Sequence, residues 1–244
     1  MVNSIVNLIF TKETRSTNDL LRQMLAENDL PEFTVVQTDF QFSGKGMAGN
    51  VWESAESENL LFSILLKPKN INSAEQFIIS QMISNAIKNT LDKFATDFTI
   101  KWSNDIYWKD KKICGILIEN DLIGNKIKHS VIGVGLNINQ IKFSEKLLNP
   151  VSLKMIINES VSQEQILADI IENLKTQYFS KDFNEIRTSY FNNLYRKNGF
   201  FAYQSAEEIF QAKIITVEND GKLILETKSG ERRSFYFKEI KFVL

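Results

Sequence analysis

Apolar positions along the 244-residue chain fall into two kinds of run. Short runs rich in β-branched and aromatic residues predict strands at Ser4–Phe10, Phe33–Thr38, Asn59–Lys67, Phe98–Trp102, Ile106–Trp108, Ile113–Glu119 and Ser130–Ile138. Runs at a spacing of three and four predict helices. One carries Leu20, Leu21, Met24 and Leu25 behind the cap-forming residues Ser16-Thr17-Asn18-Asp19. A second carries Phe77, Ile78, Met82, Ile83, Ala86, Ile87 and Leu91 behind Ser73-Ala-Glu-Gln76, which has the form of a capping box. Asp110-Lys111-Lys112 reads as a turn between two strands. Ser152 to about Arg196 is helical in pattern, with stripes at Ile166, Leu167, Ile170, Ile171, Leu174 and at Phe183, Ile186, Tyr190, Phe191, Leu194. After the stop at Asn198-Gly199 the texture changes to short alternating segments, Glu208–Glu218, Lys222–Lys228 and Arg232–Phe237, separated by Asn219-Asp-Gly221 and Ser229-Gly230. The expected class is α+β: a mixed, largely antiparallel sheet with packed helices over residues 1–197, and a small all-β domain over 198–244.

Composition narrows the chemistry. Net charge is −1, so there is no global attraction to nucleic acid or to an anionic membrane surface. No run reaches the ~18 apolar residues of a membrane span. Cys114 is the single cysteine, which excludes an intrachain disulfide and, with no signal-like N-terminus, points to the cytoplasm. His129 is the single histidine, so a two-histidine metal site is excluded and no structural metal is expected. A hydrolytic triad would have to use His129, which reads as an ordinary strand-edge residue. Lysine, asparagine, aspartate and backbone amides remain to do the work.

Only 10 glycines occur, and they cluster at Gly44, Gly46, Gly49 and again at Gly115, Gly133, Gly135. The first cluster fits G-x-G-x-x-G, but no helix follows and no acidic residue ends the next strand, so a dinucleotide fold is not indicated. What remains is a backbone-rich loop with one cation, Lys45, and one aromatic, Trp52, suited to wrapping a phosphate and stacking a base. Lys101-Trp-Ser-Asn-Asp105 interrupts an apolar region with polar residues, which costs stability unless they are bonded. Read as strand, it sets Lys101 and Ser103 opposite Trp102 and Asn104. Gly115, Gly133 and Gly135 lie in predicted strands, where a missing side chain marks the close approach of a ligand or of another element. Asn137 and Asn139 share a face and can each donate and accept, as the edge of an adenine or an amide requires.

Five segments in order carry a family signature: Ser16-Thr17-Asn18; Gly44-Lys-Gly-Met-Ala-Gly-Asn-Val-Trp52; Lys101-Trp-Ser-Asn-Asp105; Lys112-Ile-Cys-Gly115-Ile-Leu-Ile-Glu119; and Gly133-Val-Gly-Leu-Asn-Ile-Asn139. The chain resembles the catalytic core of biotin–protein ligases across about residues 10–140, and its β tail resembles their SH3-like C-terminal domain. The resemblance implies the class II synthetase-like fold of biotin and lipoate ligases. It also implies an enzyme-only type without an N-terminal DNA-binding domain. Its implied activity has two steps: biotin and ATP, with Mg²⁺, give biotinyl-5′-AMP, and a lysine of a biotin carboxyl carrier domain, as in acetyl-CoA carboxylase, then takes the biotin. Neither nucleic acid nor membrane is an implied partner; a homodimer is.

By motif, the resemblance assigns Ser16, Thr17 and Gln41 to the biotin ureido ring, closed by the backbone of Gly115. Gly44 and Lys45 cover carboxylate and phosphate. Lys112 stands between the biotin carboxylate and the α-phosphate. Asn104 faces the triphosphate and its Mg²⁺, Trp52 and Asn137 hold adenine, and Asp105 orients the incoming lysine. Lys112, Lys45 and Asp105 are thus the implied catalytic set. Lys45 replaces the family's usual arginine, Met47 its second basic residue, and Ser103 its proline; lysine is a point charge where arginine is a fork. The rival readings are a lipoate or octanoate ligase or transferase of the same fold and a non-catalytic biotin-binding module.

Overall fold

A computed structural model describes residues 6–206 and 208–243. The chain divides into two compact units, Met1–Ser73 with Lys111–Asp169, and Ala74–Asp110 with Ile170–Leu244.

In the first unit β1 (Asn7–Thr14), β2 (Thr34–Gln41), β3 (Leu60–Leu66), β7 (Lys126–Leu136) and β6 (Lys111–Ile123) lie side by side in that order. β1 and β2 are parallel and the remaining pairs antiparallel, the mixed sheet expected. A parallel pair needs a crossover, and α1 (Thr17–Glu27) supplies it. Ser4 and Ile5, the start of the first expected strand, lie outside the described residues; the strand itself runs on to Thr14, with exposure alternating from Asn7 to Lys12 and breaking at Glu13. β3 is buried at every position, as a central strand covered on both faces must be, and Ser63 is its one polar residue. Leu21 of α1 packs with Leu30, Val36, Leu65 and Val131, flanked by Ile9, Leu20, Met24 and Leu25.

Two local expectations need correction here. Ser16 takes the N-cap position of α1 with extended backbone angles, yet its side chain makes no capping bond. The turn expected at Asp110-Lys111-Lys112 lies at Lys109-Asp110: Lys109 has φ of 53° and supplies the reversal, so Lys111 and Lys112 already belong to β6. The sequence signal there was a charge cluster, and a long strand tolerates charges at its exposed end. Gly115 and Gly135 do have the close neighbour expected, a side chain from another element of the chain, as described below.

The second unit holds α2 (Phe77–Leu91), the hairpin of β4 (Phe98–Lys101) and β5 (Asp105–Trp108), and α5 (Phe183–Asn192). The short α3 (Leu153–Ile157) belongs to the first unit, and α4 (Gln163–Ser180) begins there and ends in the second. The expected capping box does not form. Ser73–Glu75 is a 3₁₀ turn, and α2 begins at Phe77 with Gln76 at the N-cap and no side-chain cap bond. Twelve of the fifteen residues of α2 are buried, more than the predicted stripe, because it is a core helix. Phe77 meets Tyr190 of α5 edge to face at 5.6 Å. A five-stranded antiparallel sheet follows in the order β11 (Arg232–Phe235), β10 (Leu223–Thr227), β9 (Ile209–Val217), β8 (Phe201–Ser205), β12 (Ile240–Phe242). Sequence patterning predicted its three middle segments and missed β8 and β12, which are five and three residues long. Among the described residues no helix is long and apolar enough to cross a membrane.

Candidate active site

The glycines of β6 and β7 form a floor. In the antiparallel register, Ser63, Gly133 and Leu117 make one row across β3, β7 and β6, and Leu61, Gly135 and Gly115 make the next. The rows are two residues apart, about 7 Å, and face the same side of the sheet. Two side chains cover this floor. Asn18, from the start of α1, lies on Gly133 so closely that a Cβ there would be 2.3 Å from its Oδ1. Trp52, from the glycine-rich loop, lies across Gly135 and Gly115; Cβ atoms there would sit 2.3 Å and 2.9 Å from its indole. The glycines expected to admit a ligand therefore first admit the chain's own asparagine and tryptophan.

The loop that brings Trp52 is a tight reversal. Trp52 N donates to Gly44 O at 3.0 Å, Gly46 N donates to Asn50 O at 2.7 Å, and Lys45 pairs with Val51. A Cβ on Gly44 would meet Trp52 O at 2.5 Å, which is why glycine stands there. Lys45 Nζ reaches Asp19 Oδ1 of α1 at 2.5 Å, in a pair open to solvent. Lys112 lies at the start of β6, its backbone tied to Asn149 O at 2.9 Å and Val151 N at 3.0 Å. Its ammonium lies 5.7 Å from the centre of the Trp52 ring and 3.4 Å from where a Gly115 Cβ would be.

At the Asn18 end the polar groups are dense. Thr17 N donates to Gln41 Oε1 at 2.7 Å, and Thr17 Oγ1 lies 3.2 Å from the same atom. Ser63 Oγ stands 2.7 Å from Thr17 Oγ1 and 2.6 Å from Asn18 Oδ1. Asn18 Nδ2 donates to Glu119 Oε2 at 2.8 Å. Ser16, Thr17, Asn18 and Ser63 are all buried. Of this network, sequence reading singled out Thr17 and Gln41, along with the buried Ser16 beside Thr17 in sequence, and missed Ser63. Its signal was available: a lone hydroxyl in the otherwise apolar run Leu60–Leu66.

Asn137 and Asn139 do not act as the matched pair that their spacing suggested. Asn139 exchanges two hydrogen bonds of 3.0 Å with the backbone of Val161, so its amide edge is taken by a peptide. Asn137 Nδ2 donates to Val151 O at 3.1 Å, whereas its Oδ1 is buried without a partner among the described residues. Trp52 Nε1 is buried in the same condition. Such groups cost stability and ask for a reason.

Asn104 and Asp105 lie in the second unit. Residues 102–104 form a turn rather than strand, so the expected alternation of Lys101 and Ser103 against Trp102 and Asn104 fails. The turn is strongly held. Ser103 O accepts from Ser80 Oγ at 3.1 Å and Tyr190 OH at 3.2 Å, and Trp102 Nε1 donates to Gly221 O at 2.9 Å. Ser103 Oγ donates to Asn104 Oδ1 at 3.0 Å, and Asp105 pairs with Lys101 across the hairpin. Burial pushes the Tyr190 phenol far above its ordinary pKa, so it stays a donor. Lys101 spreads its charge over the Tyr107 and Phe242 rings at 5.2 and 5.1 Å.

His129 lies inside β7, opposite Asp121, rather than at the strand edge expected, because the strand starts at Lys126. Its pKa is lowered first by burial, then by Lys128 and Lys67, which outweigh Asp121 at 4.0 Å. Asp121 is itself engaged by Arg22 at 2.9 Å.

The sequence profile of the biotin/lipoate A/B protein ligase family matches residues 10–137, just over half of the chain. The bifunctional ligase/repressor BirA of Bacillus spizizenii is 26% identical over 236 residues, spanning 94% of this chain and 72% of that protein. Biotin–protein ligase 1, chloroplastic, of Arabidopsis thaliana is 34% identical over 149 residues, spanning 57% of this chain and 40% of that protein. Among solved structures, the biotin protein ligase of Aquifex aeolicus in complex with biotin and ATP superposes with a TM-score of 0.81 at 22% identity, over 98% of this chain and all of that one, a likeness of fold. The profile takes in the polar corner, the loop with Trp52, Lys112 and the glycine floor together: the chain belongs to the biotin/lipoate A/B protein ligase family.

Proposed function

We propose that the chain is a biotin–protein ligase, which activates biotin with ATP to biotinyl-5′-AMP and transfers biotin to a lysine of a carrier domain. The observation that carries this reading is a glycine-lined floor with neutral hydrogen-bonding groups at one end, Thr17 and Gln41, and an ammonium at the other, Lys112. That polarity fits an acid whose far end is a urea and whose near end is a carboxylate. Lipoate offers a carboxylate but no urea, so the polar corner favours biotin.

In the first step the carboxylate oxygen attacks the α-phosphorus and pyrophosphate leaves. In the second the lysine amine attacks the acyl carbon and AMP leaves. Neither step needs a protein nucleophile; the first needs two anions held close, which Lys112 and Lys45 would permit by neutralising charge. Ser16, Thr17 and Gln41 would bind the ureido ring and Gly44 would cover the carboxylate; the Gly115 backbone, which the motif sets against the ring, would meet it from the Lys112 side. Trp52 and Asn137 would hold adenine, and their two unpartnered buried atoms, one donor and one acceptor, support that role. For Asn104, beside the triphosphate, and Asp105, orienting the incoming lysine, the proposal rests on the motif alone. ATP would bring its own Mg²⁺, with the Asn104 carbonyl as a neighbouring oxygen; among the described residues no group of three or more His, Cys, Asp or Glu gathers to hold a metal. The carrier domain, a homodimeric assembly, the cytoplasm as compartment and the boundary between 197 and 198 belong to the same proposal.

The test is incubation with MgATP, a biotin carboxyl carrier domain and either biotin or lipoate, followed by the carrier's mass. A gain of one biotinyl group with biotin alone is expected. Lipoyl transfer in its place, or tight biotin binding with no pyrophosphate released, overturns the reading.

A further inference from the structure

We propose that Ser63 is a positioning residue that sets substrate specificity, by fixing the direction of every hydrogen bond in the polar corner. The inference rests on the biotin reading above and deepens it. It follows from a proton count. Glu119 Oε2 and Leu117 O are acceptors, and both face the same atom of Asn18, at 2.8 and 3.4 Å. That atom must be the amide NH₂, so the other, facing Ser63, is the carbonyl oxygen. An amide oxygen has no proton. Ser63 has one, and at 2.6 Å it must give it to Asn18.

The consequence passes to Thr17. Its hydroxyl lies 2.7 Å from Ser63 Oγ, whose proton is already spent, and 3.2 Å from Gln41 Oε1. Two hydroxyl oxygens at the shorter distance with no proton between them repel more, so Thr17 donates to Ser63. Thr17 Oγ1 thereby turns a lone pair to the substrate and accepts an N–H. Gln41 is fixed in the same way. Its Oε1 takes the Thr17 backbone N–H at 2.7 Å, leaving Nε2 on the side of Gly44 as a donor to a carbonyl. An acceptor beside a donor is the complement of an N–H beside a C=O, which is a cyclic urea and not a dithiolane.

Ser63 touches no substrate in this scheme. It sits at the floor of β3, opposite Gly133, fully buried among aliphatic residues. Without it, Asn18 Oδ1 loses its donor and the Thr17 hydroxyl is free to turn its proton to Gln41 or to the ligand. The urea subsite would then lose its direction while the ATP end of the floor is untouched.

The test is biotin-dependent ATP–pyrophosphate exchange on the full chain, with wild type, Ser63→Ala and Ser63→Cys, each checked for an unchanged circular dichroism spectrum. Cysteine keeps the shape and a weak S–H donor, and it covers the case in which the alanine variant does not fold. The expected result is a rise in KM for biotin of about tenfold for alanine, less for cysteine, with KM for ATP within twofold of wild type. Biotin KM unchanged in both folded variants, or the two KM values rising together, overturns the inference. Exchange absent from wild type with biotin but present with lipoate removes the biotin reading and this inference with it, and is told apart from the other failures by the wild-type arm.

Discussion

Replacing Gly135 with alanine tests whether the floor exists to carry Trp52. The new Cβ would lie 2.3 Å from Trp52 Cε2, 2.5 Å from Nε1 and 2.7 Å from Cδ2, against an ordinary contact of about 3.5–4.0 Å. Either β7 or the indole must move by an ångström or more. Overpacking of this kind costs about 1–3 kcal/mol. For a chain of this length each kcal/mol corresponds to about 2–4 °C in melting temperature, so a loss of ~4–8 °C is expected for a mid-range cost. The same change carries a smaller opposite effect, because alanine in a strand is favoured over glycine by ~0.5–1 kcal/mol. In a Trp52→Ala background the collision is gone and only the favourable part remains. Gly135→Ala should therefore destabilise the parent and stabilise the Trp52→Ala protein. Thermal unfolding of the four proteins, read as a double-mutant cycle, measures the coupling. An equal loss in both backgrounds would refute the reasoning, for the clash would then lie with something other than the indole.

Lys112→Met should leave the melting temperature little changed and lower biotinyl-5′-AMP formation by the ~2–4 kcal/mol of one positioned cation, on the order of 30- to 1,000-fold in single-turnover assays. Asp19→Asn should shift the melting temperature by less than ~2 °C, since its pair with Lys45 leaves side chains 38% and 47% exposed. Gly221→Ala should destabilise by more than an ordinary surface change, because φ is +92° there and a Cβ would meet Phe77 Cδ2 at 2.8 Å; an unchanged denaturation midpoint would count against it. His129 has its pKa lowered by burial, so below about pH 6.5 the unfolded chain binds the extra proton and stability falls as pH drops toward the folded-state value. His129→Gln should flatten that slope in melts between pH 7 and 5, and an identical slope would sink the assignment.

Much of the architecture was legible because each element announces itself locally. Leu60–Leu66 is apolar but for Ser63 and is a central strand; Gly221 and Gly230 end strands at positive φ where the turn signals stood. The misreadings have physical causes. Ser73 and Gln76 have the chemistry of a capping box, but the chain makes a 3₁₀ turn first and the helix starts later. Lys111 and Lys112 look like a turn because charge and turn propensity travel together, yet the positive-φ residue that reverses the chain is Lys109. Of the site, Thr17, Gln41, Lys112 and Trp52 were legible from motif. That Trp52 covers Gly115 and Gly135, and that Ser63 stands behind Thr17, depends on strand register, which no local pattern contains.

The bare floor bears on how such a pocket could be re-engineered. The glycines offer no side chain to exchange, and any larger residue at Gly115, Gly133 or Gly135 meets an occupant already resting there. Apart from Ser63, new selectivity would have to be written from above, in the first turn of α1 and the loop from Gln41 to Trp52. Both are short stretches of contiguous sequence, close enough together for a single cassette to randomise them, while the glycines beneath are left unvaried.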